Sequence, residues 1–130
     1  MYEYKVSITK VVDGDTVDVD IDLGFGMIYK KQRVRLMGID TPESRTRDLV
    51  EKLFGKASKK HLKEILSNAE MITLVSHDKG KFGRILGELW TFDTNLNEKM
   101  IERHHAVRYH GQSKKEIAEQ HVKNRELVEL

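Results

Sequence analysis

The stretch Arg35-Leu36-Met37-Gly38-Ile39-Asp40-Thr41-Pro42-Glu43 packs a guanidinium and two carboxylates closely enough to do chemistry. Val34, Leu36 and Ile39 favour a strand, and Thr41-Pro42 stops it, because proline has a fixed φ and no N–H for a ladder. Pro42 is the only proline in the chain, and it makes a stiff corner that presents Asp40 and Glu43 one strand length from Arg35. Carboxylate and carbonyl oxygens suit a hard cation. A guanidinium can donate two parallel N–H bonds to a phosphate, which an ammonium cannot reproduce. The stretch could therefore hold a metal ion and a phosphate side by side.

The rest of the chain must position that corner. At 130 residues it is expected to form one domain with a real core, and 38% hydrophobic against 34% charged content implies a strongly solvated surface. No apolar run approaches the roughly 18 residues a membrane span needs, so no membrane association is expected. Cysteine is absent, which excludes disulfides, thiolate nucleophiles and Cys-ligated zinc. Met1-Tyr2-Glu3-Tyr4 lacks the basic and apolar segments of a secretory signal. Cytoplasmic residence and secretion with a signal removed both stay open. Net charge is only +2, but from Lys52 to Arg84 cations outnumber anions. That zone could attract a polyanion, or be a solvated helix face followed by a basic turn.

Tyr4, Val6 and Ile8 alternate with Lys5, Ser7 and Thr9, the period-2 signature of a half-buried strand over 4–12. Asp13-Gly14-Asp15 is a hairpin turn in which glycine tolerates positive φ. A second strand follows over 16–23, with Val17, Val19 and Ile21 on one face and Asp18, Asp20 and Asp22 on the other. Gly24-Phe25-Gly26 turns the chain into a third strand over 27–37, completing an antiparallel meander. Residues 46–49 read as loop, Phe54-Gly55 as a break, and Ala57, Leu62, Ile65 and Leu66 as one face of a helix over 56–68. A strand over 71–75, a turn at Asp78-Lys79-Gly80-Lys81 and a strand over 84–92 follow. Asn95 with Glu98, and Ser113 with Glu116, are capping pairs that start helices running to about residue 104 and carrying Ile117, Ala118 and Val122.

Five short strands with a helix between the third and fourth match a small closed barrel of the OB type. The chain also resembles the staphylococcal nuclease (thermonuclease) family. The motifs that carry the resemblance are Val12-Asp13-Gly14-Asp15-Thr16-Val17, the Arg35 to Glu43 stretch, Glu51-Lys52-Leu53-Phe54-Gly55 and Lys81-Phe82-Gly83-Arg84, in family order and spacing. The resemblance implies an α+β fold, a five-stranded OB barrel (about 4–92) with three helices. It also implies calcium-dependent hydrolysis of DNA and RNA with little sequence preference, leaving 3′-phosphate ends.

Carried over by resemblance, Asp15, Asp40 and the Thr41 main-chain carbonyl hold calcium, Glu43 holds the attacking water, and Arg35 and Arg84 contact the scissile phosphate. Tyr109 and Lys81 are candidate substrate contacts, and Asp13 shapes the ligand turn. By residue type alone, Asp15 and Asp40 could be ordinary turn formers, Glu43 a surface carboxylate and Arg84 part of a basic turn. Arg33, on the face of Arg35, is expected to pair with Asp18, Asp20 or Asp22 across strands. Trp90 and Phe92 are expected in the barrel core.

The histidines offer no His-x₃-His pair near the carboxylates. His104 and His105 would diverge on a helix, and His110 and His121 lie far along the chain, so neither a zinc site nor a catalytic histidine is expected. Three departures from the family pattern stand out: a longer hairpin over 18–32 whose tip could reach substrate or a partner, a shorter 78–81 turn without an acid before Lys81, and a last helix without an apolar tail. A monomer acting on DNA and RNA is the expectation. The competing class is a non-catalytic barrel that binds single strands through a basic groove.

Overall fold

The computed structural model describes residues 2–79, 83–128 and 130. Strands β1 (Tyr2–Asp13), β2 (Thr16–Asp22) and β3 (Ile28–Leu36) form the expected meander, followed by the short β4 (Ile39–Asp40) and helix α1 (Leu49–Ser67). Then come β5 (Thr73–Lys79), β6 (Ile85–Thr91), β7 (Thr94–Asn95), α2 (Leu96–Glu102), β8 (Val107–Arg108) and α3 (Lys114–Asn124). The main sheet runs β3-β2-β1-β5-β6-β7, and β3 also pairs in parallel with β6. That second pairing closes β1, β2, β3, β5 and β6 into a five-stranded barrel, which with the three helices is the α+β fold expected.

Alternation decides the core. Val17, Val19 and Ile21 of β2 point inward with Val34, Leu36, Leu74 and Leu89, and α1 adds Leu62 and Leu66. Full burial of each aliphatic side chain is worth about 1.5–3 kcal/mol. The acids of β2 alternate outward, and Asp18 takes Arg33 in a two-pronged ion pair, with Nε to Oδ1 at 2.9 Å and Nη2 to Oδ2 at 3.2 Å. Arg33 therefore has the cross-strand role expected of it. In β1 a bulge between Ile8 and Lys10 shifts the alternation, so that Val11 becomes buried.

Helix α1 starts seven residues before the expected Lys56, at Leu49, and Gly55 lies inside it. Asp48 caps the helix, its Oδ1 accepting from the amides of Val50 and Glu51 at 3.1 Å each. Gly55 is no break but a contact. A Cβ there would stand 2.2 Å from the Glu43 carbonyl oxygen, so only glycine lets the helix lie on the 43–44 backbone. Phe92 is also corrected: it is 66% exposed with φ +53°, and Trp90 is only half-buried. Both flank the tight β6–β7 turn, which leaves the barrel interior to Leu89. The 78–81 turn falls partly outside the described residues, with β5 continuing to Lys79.

Asn95 and Ser113 cap α2 and α3 as expected. Asn97, which has no such signature, is buried and spends its amide on three partners. Nδ2 donates to the carbonyls of Met37 at 2.9 Å and Gly87 at 3.2 Å, and Oδ1 accepts from the Leu89 amide at 3.2 Å. The side chain thereby ties the end of β3 to β6 and α2. We expect Asn97→Ala, which strands those buried groups, to cost about 2–4 kcal/mol in chemical denaturation.

Histidines 104 and 105 do not lie on a helix: α2 ends at Glu102 and His104 has φ +64°. The turn swings His105 onto His61 of α1, rings stacked with centroids 4.4 Å apart. Burial, then the neighbouring His61 and His104, push the His105 pKa down to about 4, and burial lowers that of His61. The unfolded chain therefore takes up protons near pH 6.5 that the folded one refuses. The pair's contribution is complete above that pH and is lost as pH falls toward 4. Melting temperature should drop across this window, and His105→Gln should flatten the drop relative to wild type.

Candidate active site

The turn between β1 and β2 carries Asp15, and Gly14 is what lets it approach the corner after β4. A Cβ on Gly14 would stand 2.8 Å from Ser58 Cβ and 3.0 Å from Thr41 Oγ1. The glycine is needed for closeness and not, as its turn signature suggests, for a positive φ. Asp15 Oδ1 accepts from Thr16 Oγ1 at 3.0 Å, and Oδ2 accepts from the Thr41 amide at 3.2 Å. Beside it, Asp13 binds the Gly14 amide and Ser44, while burial, together with the Asp15 charge, raises its carboxyl pKa.

Asp40 is held by a ladder that its own sequence does not announce. β4 pairs with β8, Ile39 against Arg108 and Asp40 against Val107, and the Tyr109 amide donates to the Gly38 carbonyl at 2.8 Å. Arg35 joins the two turns. Its Nη2 lies 3.4 Å from Asp15 Oδ2 and 3.7 Å from Asp40 Oδ1, and Nη1 donates to the Leu36 carbonyl at 2.7 Å. Two carboxylates from separate bends thus face one positive nitrogen.

That arrangement bears on whether a cation fits. The convergent side chains are hard oxygen donors, they already neutralise one positive charge between them, and Thr41 Oγ1 beside them is buried without a hydrogen-bond partner. Among the described residues no group of three or more His, Cys, Asp or Glu side chains comes together. An ion here would complete its shell with main-chain carbonyls, water and substrate oxygens, as calcium readily does. The donor set fits a hard divalent cation.

The staphylococcal nuclease homologue family matches residues 33–127, a span that includes Arg35, the corner and α3. The chain belongs to the staphylococcal nuclease family. It is similar to the thermonucleases of Staphylococcus intermedius, 33% identical over 96 residues, and Staphylococcus hyicus, 30% identical over 101 residues. These alignments cover 73% and 77% of this chain but 54% and 56% of those proteins, so the chain spans about half their length. Endonuclease YncB of Bacillus subtilis is 27% identical over 103 residues, 75% of this chain and 44% of its own.

Set within the staphylococcal nuclease family, the expected site residues fall into groups. Asp15, Asp40, Thr41 and Arg35 are brought together. Glu43 is exposed three residues beyond Asp40, its backbone clamped under Gly55. Arg84 is half-buried and directly precedes Ile85, whose register partner is Val34, the neighbour of Arg35. Tyr109 is 44% exposed next to Gly38, and Lys81 lies outside the described residues. The 18–32 hairpin tip does not approach this site. Thr16 pairs with Arg35 at one end of the β2–β3 ladder and Asp22 with Ile28 at the other, about 20 Å of strand away.

The expectation that His121 stands apart from the carboxylates is corrected. His121 of α3 places Nε2 2.7 Å from Asp40 Oδ2, although it stands far from the carboxylates in sequence. No local pattern marks it, since only the folding of α3 back onto the corner creates the contact. Arg45 and Arg47, both exposed on the loop after Glu43, also escaped notice beside the longer basic run.

Proposed function

We propose that the chain is the catalytic domain of a calcium-dependent nuclease that hydrolyses phosphodiester bonds in DNA and RNA with little sequence preference, leaving 3′-phosphate ends. The observation that carries this reading is the convergence of Asp15 and Asp40 on Arg35 at a half-buried corner. A module that only held polyanions would gain nothing from paired carboxylates beside the phosphate. Family membership and the names of the similar proteins, thermonuclease and endonuclease, support the same reading.

Asp15, Asp40 and the Thr41 carbonyl would hold the ion. When bound, calcium supplies Lewis-acid polarisation of the phosphoryl oxygen and a template for the ester. Glu43 holds the attacking water, which gives up a proton as its oxygen bonds to phosphorus, while the bond to the 5′ oxygen breaks and that oxygen leaves as a hydroxyl by taking a proton from solvent. Arg35 turns its donors from the carboxylates to phosphate oxygens, and Arg84 adds charge from the residue just before β6. Arg45 and Arg47 extend positive potential along the approach. A positioned base is worth only about 10²–10⁴ in rate, whereas unaided phosphodiester cleavage is slow enough to require well over ~15 kcal/mol of barrier reduction. Charge stabilisation must therefore supply most of the acceleration.

Two measurements follow. Purified protein mixed with single- and double-stranded DNA and RNA should shorten them in calcium and leave them intact in chelator, and Glu43→Gln should lower turnover by about 10²–10⁴ without moving the melting temperature. Uncut substrate with retarded mobility in calcium would instead make the chain a binding module. Arg35→Ala should abolish turnover yet tighten calcium binding about tenfold in calorimetry, because it removes a cation that competes for both carboxylates. Unchanged calcium affinity would take the guanidinium out of the metal's surroundings.

A further inference from the structure

Helix α3 has no buried side chain, which is unusual for a helix packed on a barrel. Its half-buried face carries Ile117, His121 and Asn124, with Arg125 at the C-terminal cap, and polar groups make specific contacts from it to the rest of the protein. Asn124 Nδ2 donates to the Ala106 carbonyl at 3.4 Å, and the Arg125 guanidinium sits 5.5 Å above the Phe54 ring. The shortest contact is the 2.7 Å bond from His121 to Asp40, where the imidazole side chain is 13% exposed and the carboxylate 30%. A carboxylate only accepts, so Nε2 carries the hydrogen and donates it to Oδ2.

Asp40 is consequently gripped from two sides. Oδ2 is taken by His121, while Oδ1 faces Arg35 Nη2 and, through it, Asp15. A carboxylate with one free torsion to its terminal oxygens has a broad range of orientations, and a donor on one oxygen narrows that range. We propose that His121 is a positioning residue for cation binding: it fixes the Asp40 carboxylate with Oδ1 directed at the point shared with Asp15, and so couples the seating of α3 to occupancy of the site. The inference rests on the cation site proposed above. Linkage makes the coupling reciprocal, so an ion that prefers the fixed carboxylate must also hold α3 more firmly.

The test compares two variants that both fill the space of the ring. His121→Gln keeps an N–H donor near the position of Nε2, and His121→Phe keeps the bulk without the donor. Calcium chloride is titrated calorimetrically into metal-free wild type and both variants, with melting curves in chelator to establish that each is folded. We expect His121→Phe to lose about 10–100-fold in calcium affinity, the range for removing a hydrogen bond to a metal-ligating group, and His121→Gln to stay within about threefold of wild type. Amide exchange in α3 should slow on adding calcium to wild type and to His121→Gln, and not in His121→Phe. Equal affinities in wild type and His121→Phe overturn the positioning role alone, as does an equal loss in both variants, which would assign the residue to packing. Absence of calcium binding to wild type overturns the cation site and this inference with it.

Discussion

Like charges brought to one corner repel, and the way that repulsion is met governs the rest of the site. Two carboxylates about 4 Å apart cost on the order of 1 kcal/mol in a water-like medium and about 4 kcal/mol at the effective dielectric of a protein surface. Hydrogen bonds to a charged group return about 1.5–3 kcal/mol each, so those from the Thr16 hydroxyl and the Thr41 amide stabilise Asp15, but they set no positive charge between the two acids. Arg35 does. Its position between the acids is fixed by β3, by the bond to the Leu36 carbonyl and by the closure of β3 onto β6. The charge that steadies the corner without an ion is therefore the same one that the proposed mechanism turns toward a substrate phosphate, and the two demands would meet on one guanidinium.

The scaffold serves this by allowing backbones unusually close together. Gly14 rests against Thr41 and Ser58, and Gly55 rests on the carbonyl of Glu43, so the first hairpin, the proline corner and α1 form one tight stack. Any side chain at either position would separate Asp15 from Asp40 or lift the loop bearing Glu43. Asn97 does the equivalent work from the other side, where its buried amide takes the Met37 carbonyl while the Met37 amide makes the last backbone bond to Gly87. Polar satisfaction and van der Waals closeness, more than apolar area, set the distances between the acids.

Much of this was legible in the chain because it is local. Strict alternation in 16–22 identified β2 and its faces, and the Asn95 and Ser113 caps announced the two later helices. Errors arose where a residue's role belongs to tertiary packing. Gly55 reads as a helix breaker until the 43–44 backbone is seen beneath it, and the Asp48 cap ahead of it was passed over for that reason. Phe92 reads as core, yet the turn at its position sends it to solvent. Two-residue ladders such as β4 with β8 leave no periodicity to detect, and a contact between residues 40 and 121 has no signature in one sequence. The resemblance supplied Asp15, Arg35 and Asp40 as a set; spacing alone could not join two turns separated by a full strand pair.

The polar seating of α3 completes the argument about how firmly the corner is held. With no side chain buried, the helix lacks the roughly 1.5–3 kcal/mol that each enclosed aliphatic residue contributes to the barrel. A few hydrogen bonds of about 1 kcal/mol each leave it near the low end of local stability, where opening without global unfolding is easiest. Asp15 is anchored to the barrel through Thr16 and Thr41, but Asp40 takes its shortest side-chain bond from this loosely held element. The two acids therefore differ in what holds their side chains: Asp15 is tied to the barrel, and Asp40, whose backbone sits in the β4–β8 ladder, is tied through His121 to a surface helix. A site built that way can close around what it binds, because the compliant half has interactions to gain and the rigid half has already fixed where they must form.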